Sequence, residues 1–154
     1  MSRGLTNSYL EKLSKKILGS SFTGVYPCDV HPRTRRKSFS VIFNTAPQSN
    51  TLGEHFVAIK VKKKLVFYFD PFGEPPTNED IKKFLIGIGG DRAIKWNGVQ
   101  IQDNSSNFCG FFCLAFLISA ENKIRFSRFI NLFSIQNKKE NNKKAVDFIV
   151  SQIK

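Results

Sequence analysis

The chain carries a cysteine at the head of an apolar run: Gln102-Asp-Asn-Ser-Ser-Asn-Phe-Cys109-Gly110 leads directly into residues 111–120. A thiol placed at a helix start meets free N–H groups and the positive end of the helix dipole, both of which favour the thiolate. Cys109 is therefore the candidate nucleophile. Cys113 lies one turn deeper and reads as a packed apolar residue. Upstream, His55 stands in the strand-like run Gly53-Glu54-His55-Phe56-Val57-Ala58, and Asp70 ends the next such run before Pro71. A general base, an acid to orient it and a thiol are the parts needed for acyl transfer through a covalent thioester. Gln102, seven residues before Cys109, supplies a side-chain N–H for a developing oxyanion, beside the backbone N–H of Cys109. Gly110 fits because a side chain there would crowd an approaching carbonyl.

Each residue has a plainer reading when taken alone. Two cysteines four apart can be small residues on one buried helix face. A lone strand histidine is more often packed than reactive, and Asp-Pro-Phe-Gly is a common turn. The chain has only two histidines, however, and His31, between Val30 and Pro32 in a basic stretch, has no placed acid. Hairpin pairing sets Asp70 opposite His55 or its near neighbour, with Asp70 expected to accept the Nδ1 proton. Glu54 is the fallback acid, although adjacent strand residues point to opposite faces.

These side chains need a scaffold to carry them. Helical spacing predicts a helix over 8–18, ended by Gly19. Residues 22–28, with Gly24 and Pro27, read as loop, and 31–37 as a basic loop. Strands are predicted at 39–44, 54–61 and 65–69, the last two joined by the tight turn Lys62-Lys63-Lys64 as an antiparallel hairpin. Thr77 or Asn78 caps a helix through about residue 86, with Glu79 and Asp80 in its first turn. Short strands at 94–96 and 99–101 flank Asn97-Gly98 and deliver Gln102. Residues 108–121 form a helix apolar on nearly every face, hence a buried central one. Helices over 126–134 and 139–153 close an α+β domain, with a mostly antiparallel central sheet flanked by helices.

At 154 residues and 41% hydrophobic, with 16 Phe, the chain suits a single domain, 1–154, around one core. It has no apolar run long enough for a membrane span, and its first residues lack a signal-peptide core, so export is not expected. Three cysteines suit a reducing compartment rather than a disulfide framework. No metal-ligand spacing stands out. Twenty-four Lys and Arg against 12 Asp and Glu leave +12, clustered at 33–37, 60–64 and 138–144. That excess favours polyanions, while a Lys/Asn-rich coding bias accounts for it equally. No RNA-binding or zinc-finger motif accompanies it.

Taken together, Val41-Ile-Phe-Asn44-Thr45, Gly53-Glu54-His55-Phe56, Tyr68-Phe-Asp70-Pro-Phe-Gly73 and Gln102 with Cys109-Gly110-Phe-Phe-Cys113 resemble the adenain-like cysteine endopeptidases. Those proteins are found in adenoviruses, Maverick/Polinton elements and virophages, and share a papain-like fold with the SUMO-specific proteases. The likeness runs from about residue 22 to 117. It implies His55 as base, Asp70 as acid, Gln102 as oxyanion donor and Cys109 as nucleophile, with Gly53, Glu54, Phe56 and Gly110 as substrate contacts. It also implies a virion-maturation hydrolase that cuts capsid or other virion precursors after small residues such as Gly. The expected setting is the virion and the host nucleus or a cytoplasmic viral factory, as a monomer with no membrane association. No cofactor or metal is required by the resemblance, which leaves open activation of this chain by viral DNA or a peptide, as in adenain itself.

Three departures qualify the likeness. Phe56 stands where the family has Trp. Asp70 matches the cellular and transposon branches rather than the Glu of adenain. The stretch 90–99 has no cysteine for a disulfide-linked activating peptide, which leaves Cys28 for any different arrangement. Rival readings are a deubiquitinase- or SUMO-protease-like isopeptidase, an acetyltransferase on the same scaffold, and a basic nucleic-acid-binding module without catalysis.

Overall fold

A computed structural model describes residues 6–49 and 55–153. The elements in chain order are α1 (Asn7–Leu18), β1 (Phe22–Pro27), β2 (Phe39–Asn44), β3 (Phe56–Val61), β4 (Leu65–Phe69), α2 (Glu79–Gly89), β5 (Ala93–Trp96), α3 (Cys109–Glu121), α4 (Phe126–Ile130) and α5 (Asn141–Gln152). Five strands form one sheet in the order β1-β2-β3-β4-β5. The inner pairs β2–β3 and β3–β4 are antiparallel, while the outer pairs β1–β2 and β4–β5 are parallel. The α+β class holds, with a mixed sheet in place of a mostly antiparallel one.

Alternation along the strands makes two apolar faces. Val41, Phe43, Val57, Ile59, Val66 and Tyr68 pack on one side with Ile81, Phe84 and Leu85 of α2. Ile42, Phe56, Ala58 and Phe69 pack on the other with α3, which is itself wrapped by residues of α1, α4 and α5. Burial on all sides explains why α3 lacks a polar stripe. His31 belongs to the α2 side. Its ring meets Phe43 and Phe84 edge-on at 5.9 and 5.4 Å, and its Nε2 lies 3.0 Å from the Cys28 carbonyl, so it is a packed residue.

Four local expectations change. Residues 22–27 are a strand, because an edge position accepts Pro27 and Gly24 (φ +149°), and the register shifts between Phe22 and Val25. Residues 99–101 form no strand; Ile101 and Gln102 both donate their N–H to the Pro71 carbonyl, at 2.9 and 3.0 Å. The helix over 126–134 stops at Ile130. The last helix starts at Asn141 after a short 3₁₀ turn, Lys138–Glu140. Asn78, rather than Thr77, caps α2 by accepting from the N–H groups of Asp80 and Ile81. Among the described residues, no helix is long and apolar enough to cross a membrane.

Candidate active site

α3 runs along β3 in the same direction. At one end, a Cβ on Gly110 would sit 3.5 Å from the Phe56 ring. At the other, Lys60 Nζ reaches Glu121 Oε2 at 3.1 Å. Five strand residues and twelve helical ones span similar lengths, about 13 and about 16 Å. The two elements therefore begin side by side, which brings Cys109, first residue of α3, to His55, the residue before β3.

His55 lies just outside its strand, so strict alternation no longer governs where its side chain points. Its carbonyl still accepts from Thr45 N at 2.7 Å, which anchors the backbone to β2. The imidazole Nε2 lies 2.7 Å from Asp70 Oδ1. The Cys109 side chain lies close enough to the same ring to favour its protonated form. Nε2, rather than the expected Nδ1, is thus the atom turned to the carboxylate. Both partners are largely buried, with the His55 and Asp70 side chains 16% and 8% exposed. Burial opposes the imidazolium, but hydrogen bonds to Asp70 and Cys109 and the charges of those groups outweigh it. His55 is pushed up from 6.5 to about 9.

Asp70 follows β4, whose register pairs Ala58 with Phe69; one more step sets Asp70 opposite Val57, two residues from His55. Three contacts hold it there. Phe72 N donates to Asp70 Oδ1 at 2.8 Å, closing the turn on the carboxylate itself. Asn97 Oδ1 accepts from Asp70 N at 3.1 Å, and Asn97 Nδ2 donates to Asp70 O at 2.7 Å and to Val99 O at 2.9 Å. The turn also stacks the Phe72 ring on His55, with centroids 4.6 Å apart and planes at 25°. Gly73 (φ +74°) closes it so tightly that a Cβ would lie 2.6 Å from the backbone of Val99 and Gln100.

Cys109 is buried, 8% exposed. The first backbone bond at this helix mouth runs from Phe112 N to Phe108 O, 3.2 Å. The N–H groups of residues 109–111 precede the ladder and are oriented donors for an anion. Burial and the nearby Cys109 and Asp70 push the Cys113 thiol well up, and burial also raises Cys28. Cys113 and Cys28 therefore stay protonated near neutral pH.

Gln102 is fully buried at the same end of α3. Its amide nitrogen donates to Ser106 O at 3.0 Å and, more loosely, to Ser106 Oγ at 3.3 Å, while its Oε1 has no hydrogen-bond partner. The expected oxyanion donor is thus engaged with Ser106, and a half-turn of the amide would exchange its two atoms. Ser106 is held in turn by Asn142 Oδ1 at 2.8 Å and accepts from Phe108 N at 3.1 Å.

The expected substrate contacts fare differently. Gly53 and Glu54 lie outside the described residues. Phe56 is a core residue, and a Cβ on Gly110 would meet Leu10 at 3.2 Å as well as Phe56. Gly110 therefore lies where α3 sits close on α1 and β3.

Phe72, Asn97 and Ser106 were not singled out in the sequence. Phe72 was legible as the aromatic two residues after the acid. Asn97 read as a turn residue beside Gly98, since nothing local says that its amide caps Asp70. No group of three or more His, Cys, Asp or Glu side chains that could hold a metal occurs among the described residues.

No protein-family profile matches the chain, and no curated protein matches it. Solved structures do. The crystal structure of ASFV pS273R protease superposes with a TM-score of 0.61 at 17% identity, over 93% of this chain and 66% of that one. A selenomethionine form of the same protease gives 0.47 at 22% identity, over 71% and 43%. AvrA, crystallised with IP6 and CoA, gives 0.41 at 16% identity, over 90% and 54%. The chain thus spans less than two thirds of the length of these proteins. The first match shows the fold: this chain's α+β arrangement, a five-stranded mixed sheet flanked by helices, superposes on the ASFV protease.

Proposed function

We propose that this chain is a cysteine endopeptidase of a virus or mobile element, acting on virion precursor proteins after small residues. The observation that carries the reading is the His55 imidazole between the Asp70 carboxylate, 2.7 Å away, and the Cys109 side chain at the head of α3. The shared fold with the ASFV protease supports the reaction class, and the resemblance to adenain-like enzymes supports the substrate.

In this mechanism His55 takes the proton of the Cys109 thiol, giving a thiolate nucleophile at the helix N-terminus. The thiolate attacks the scissile carbonyl, and the oxyanion meets the N–H groups at the helix mouth. Rotation of the Gln102 amide would add a side-chain donor. His55 then protonates the departing amine, and a thioester forms on Cys109. Water, deprotonated by His55, hydrolyses the thioester and restores the thiol. Asp70 holds the ring through Nε2 and stabilises the imidazolium without taking the proton.

The test is incubation of the protein with candidate virion precursors, with fragment termini read by mass spectrometry. Cleavage is expected for the wild-type chain and none for Cys109→Ala, with equal thermal unfolding of the two. Equal cleavage by both would overturn the reading.

A further inference from the structure

Away from the Cys109 end of α3, the α3 side of the sheet is left open beyond β4. A cavity of about 960 Å³ lies there, between the β4–β5 edge and the chain from the end of α3 through α4. Its lining is partly aromatic: the Phe126 ring packs against both Phe67 and Phe116, with centroids 5.2 Å from each. Four cations line it, Lys62, Lys95, Lys123 and Arg125, and no acidic residue does. Elsewhere Lys60, Lys82, Lys143 and Lys144 each pair with a carboxylate. None of the four cavity cations has an ion-pair partner among the described residues; Lys62 instead stands 5.4 Å over the Phe67 ring.

Lys123 adds a second observation. It follows the Asn122 C-cap of α3 with φ +61°, a left-handed conformation that glycine adopts most readily at this position. The chain keeps a lysine there, and the turn sets it at the cavity wall.

We propose that this cavity binds an acidic polypeptide segment with an apolar anchor: an aromatic or aliphatic side chain against the phenylalanine rings, flanked by carboxylates that meet the four cations. A bare polyanion would leave the rings uncovered, and a purely apolar ligand would leave the cations unused. The inference goes beyond the hydrolytic reading and does not depend on it.

The probe is a fluorescein-labelled peptide, Gly-Glu-Asp-Phe-Glu-Leu-Asp-Gly, followed by fluorescence anisotropy at near-physiological salt. Controls are the same peptide with Ser for Phe and Leu, and a labelled single-stranded oligonucleotide. Saturable binding is expected for the first peptide, weakened about tenfold in Lys95→Gln/Lys123→Gly. Lys123→Gly relieves the left-handed lysine, so the thermal midpoint should hold or rise, which separates a lost contact from a lost fold. Absent saturation, equal binding of the serine peptide, or an affinity the double variant leaves unchanged would each overturn the proposal. If the lysine changes weaken the oligonucleotide but not the peptide, the cavity serves nucleic acid and the proposal likewise fails.

Discussion

Asp70→Asn isolates the charge that sustains the His55 imidazolium. The replacement is nearly isosteric, and its amide oxygen can still accept from Phe72 N, which now donates to Asp70 Oδ1 at 2.8 Å. The turn that carries the site should therefore survive. His55 Nε2 contacts that same oxygen at 2.7 Å, so the amide oxygen can serve both donors, and what the protonated ring loses is the negative charge of its partner. In the wild type His55 titrates at about 9, above its ordinary 6.5. Without the carboxylate charge, Cys109 and a neutral amide are left to oppose burial, and the midpoint should fall from about 9 toward ~6.5. A full return to ~6.5 would take the protonated fraction at pH 8 from about nine-tenths to about 3%, so roughly thirtyfold is the upper bound on the loss.

The sign for stability follows from the same shift. A group raised in the folded state contributes fully below its unfolded value near 6.5, and that contribution is lost as pH rises through about 9. Its ceiling is about 3 kcal/mol. Long-range ¹H–¹⁵N NMR reads both histidine rings, and His31 serves as internal control because the chain has only two. Urea unfolding across pH 6–10 gives the linked stability, which should be steeper in the wild type. A midpoint near 9 retained in Asp70→Asn would show that the carboxylate does not support the imidazolium.

Gly73→Ala places a Cβ 2.6 Å from the Val99 and Gln100 backbone at φ +74°. It should cost about 2–3 kcal/mol or more in urea unfolding, and a cost under about 0.5 kcal/mol would count against the tight turn. Asn97→Ala removes three hydrogen bonds around Asp70 and Val99. A loss of about 2–3 kcal/mol is expected, together with a lowered His55 midpoint by NMR; unchanged titration would mean that Asn97 does not position the acid. Asn141 is fully buried and bridges Ile101 O, Ser134 O and Ser134 N at 2.7–2.8 Å. Asn141→Ala should lower the thermal midpoint by several degrees, and an unshifted melt would deny it that bridging role.

Much of the scaffold was legible because local patterns and tertiary demands coincide. The alternation of β2 and β3, the charged turn Lys62-Lys63-Lys64 and the unbroken apolar run of α3 each have one stable arrangement. β1 was hidden because Gly24 and Pro27 are tolerated only by virtue of its edge position, which no local rule reveals. The stretch 99–101 has strand-like residues, yet two of its neighbouring N–H groups are satisfied by the single Pro71 carbonyl instead of a ladder. Gly110 pointed to a cramped spot, but the crowding neighbours, Leu10 and Phe56, come from distant segments.

Residue types and their order were enough to nominate a thiol at a helix mouth, a strand histidine and a strand-end acid, because helix dipoles and hairpin pairing act over a few residues. Which imidazole nitrogen faces Asp70, the Asn97 clasp on that acid, the Phe72 stack and the engagement of Gln102 with Ser106 were decided only by packing. These contacts join segments 15 to 27 residues apart, or turn on a side-chain rotation. Hydrogen-bond direction and close packing depend on three-dimensional neighbours, and spacing along a chain carries no record of them.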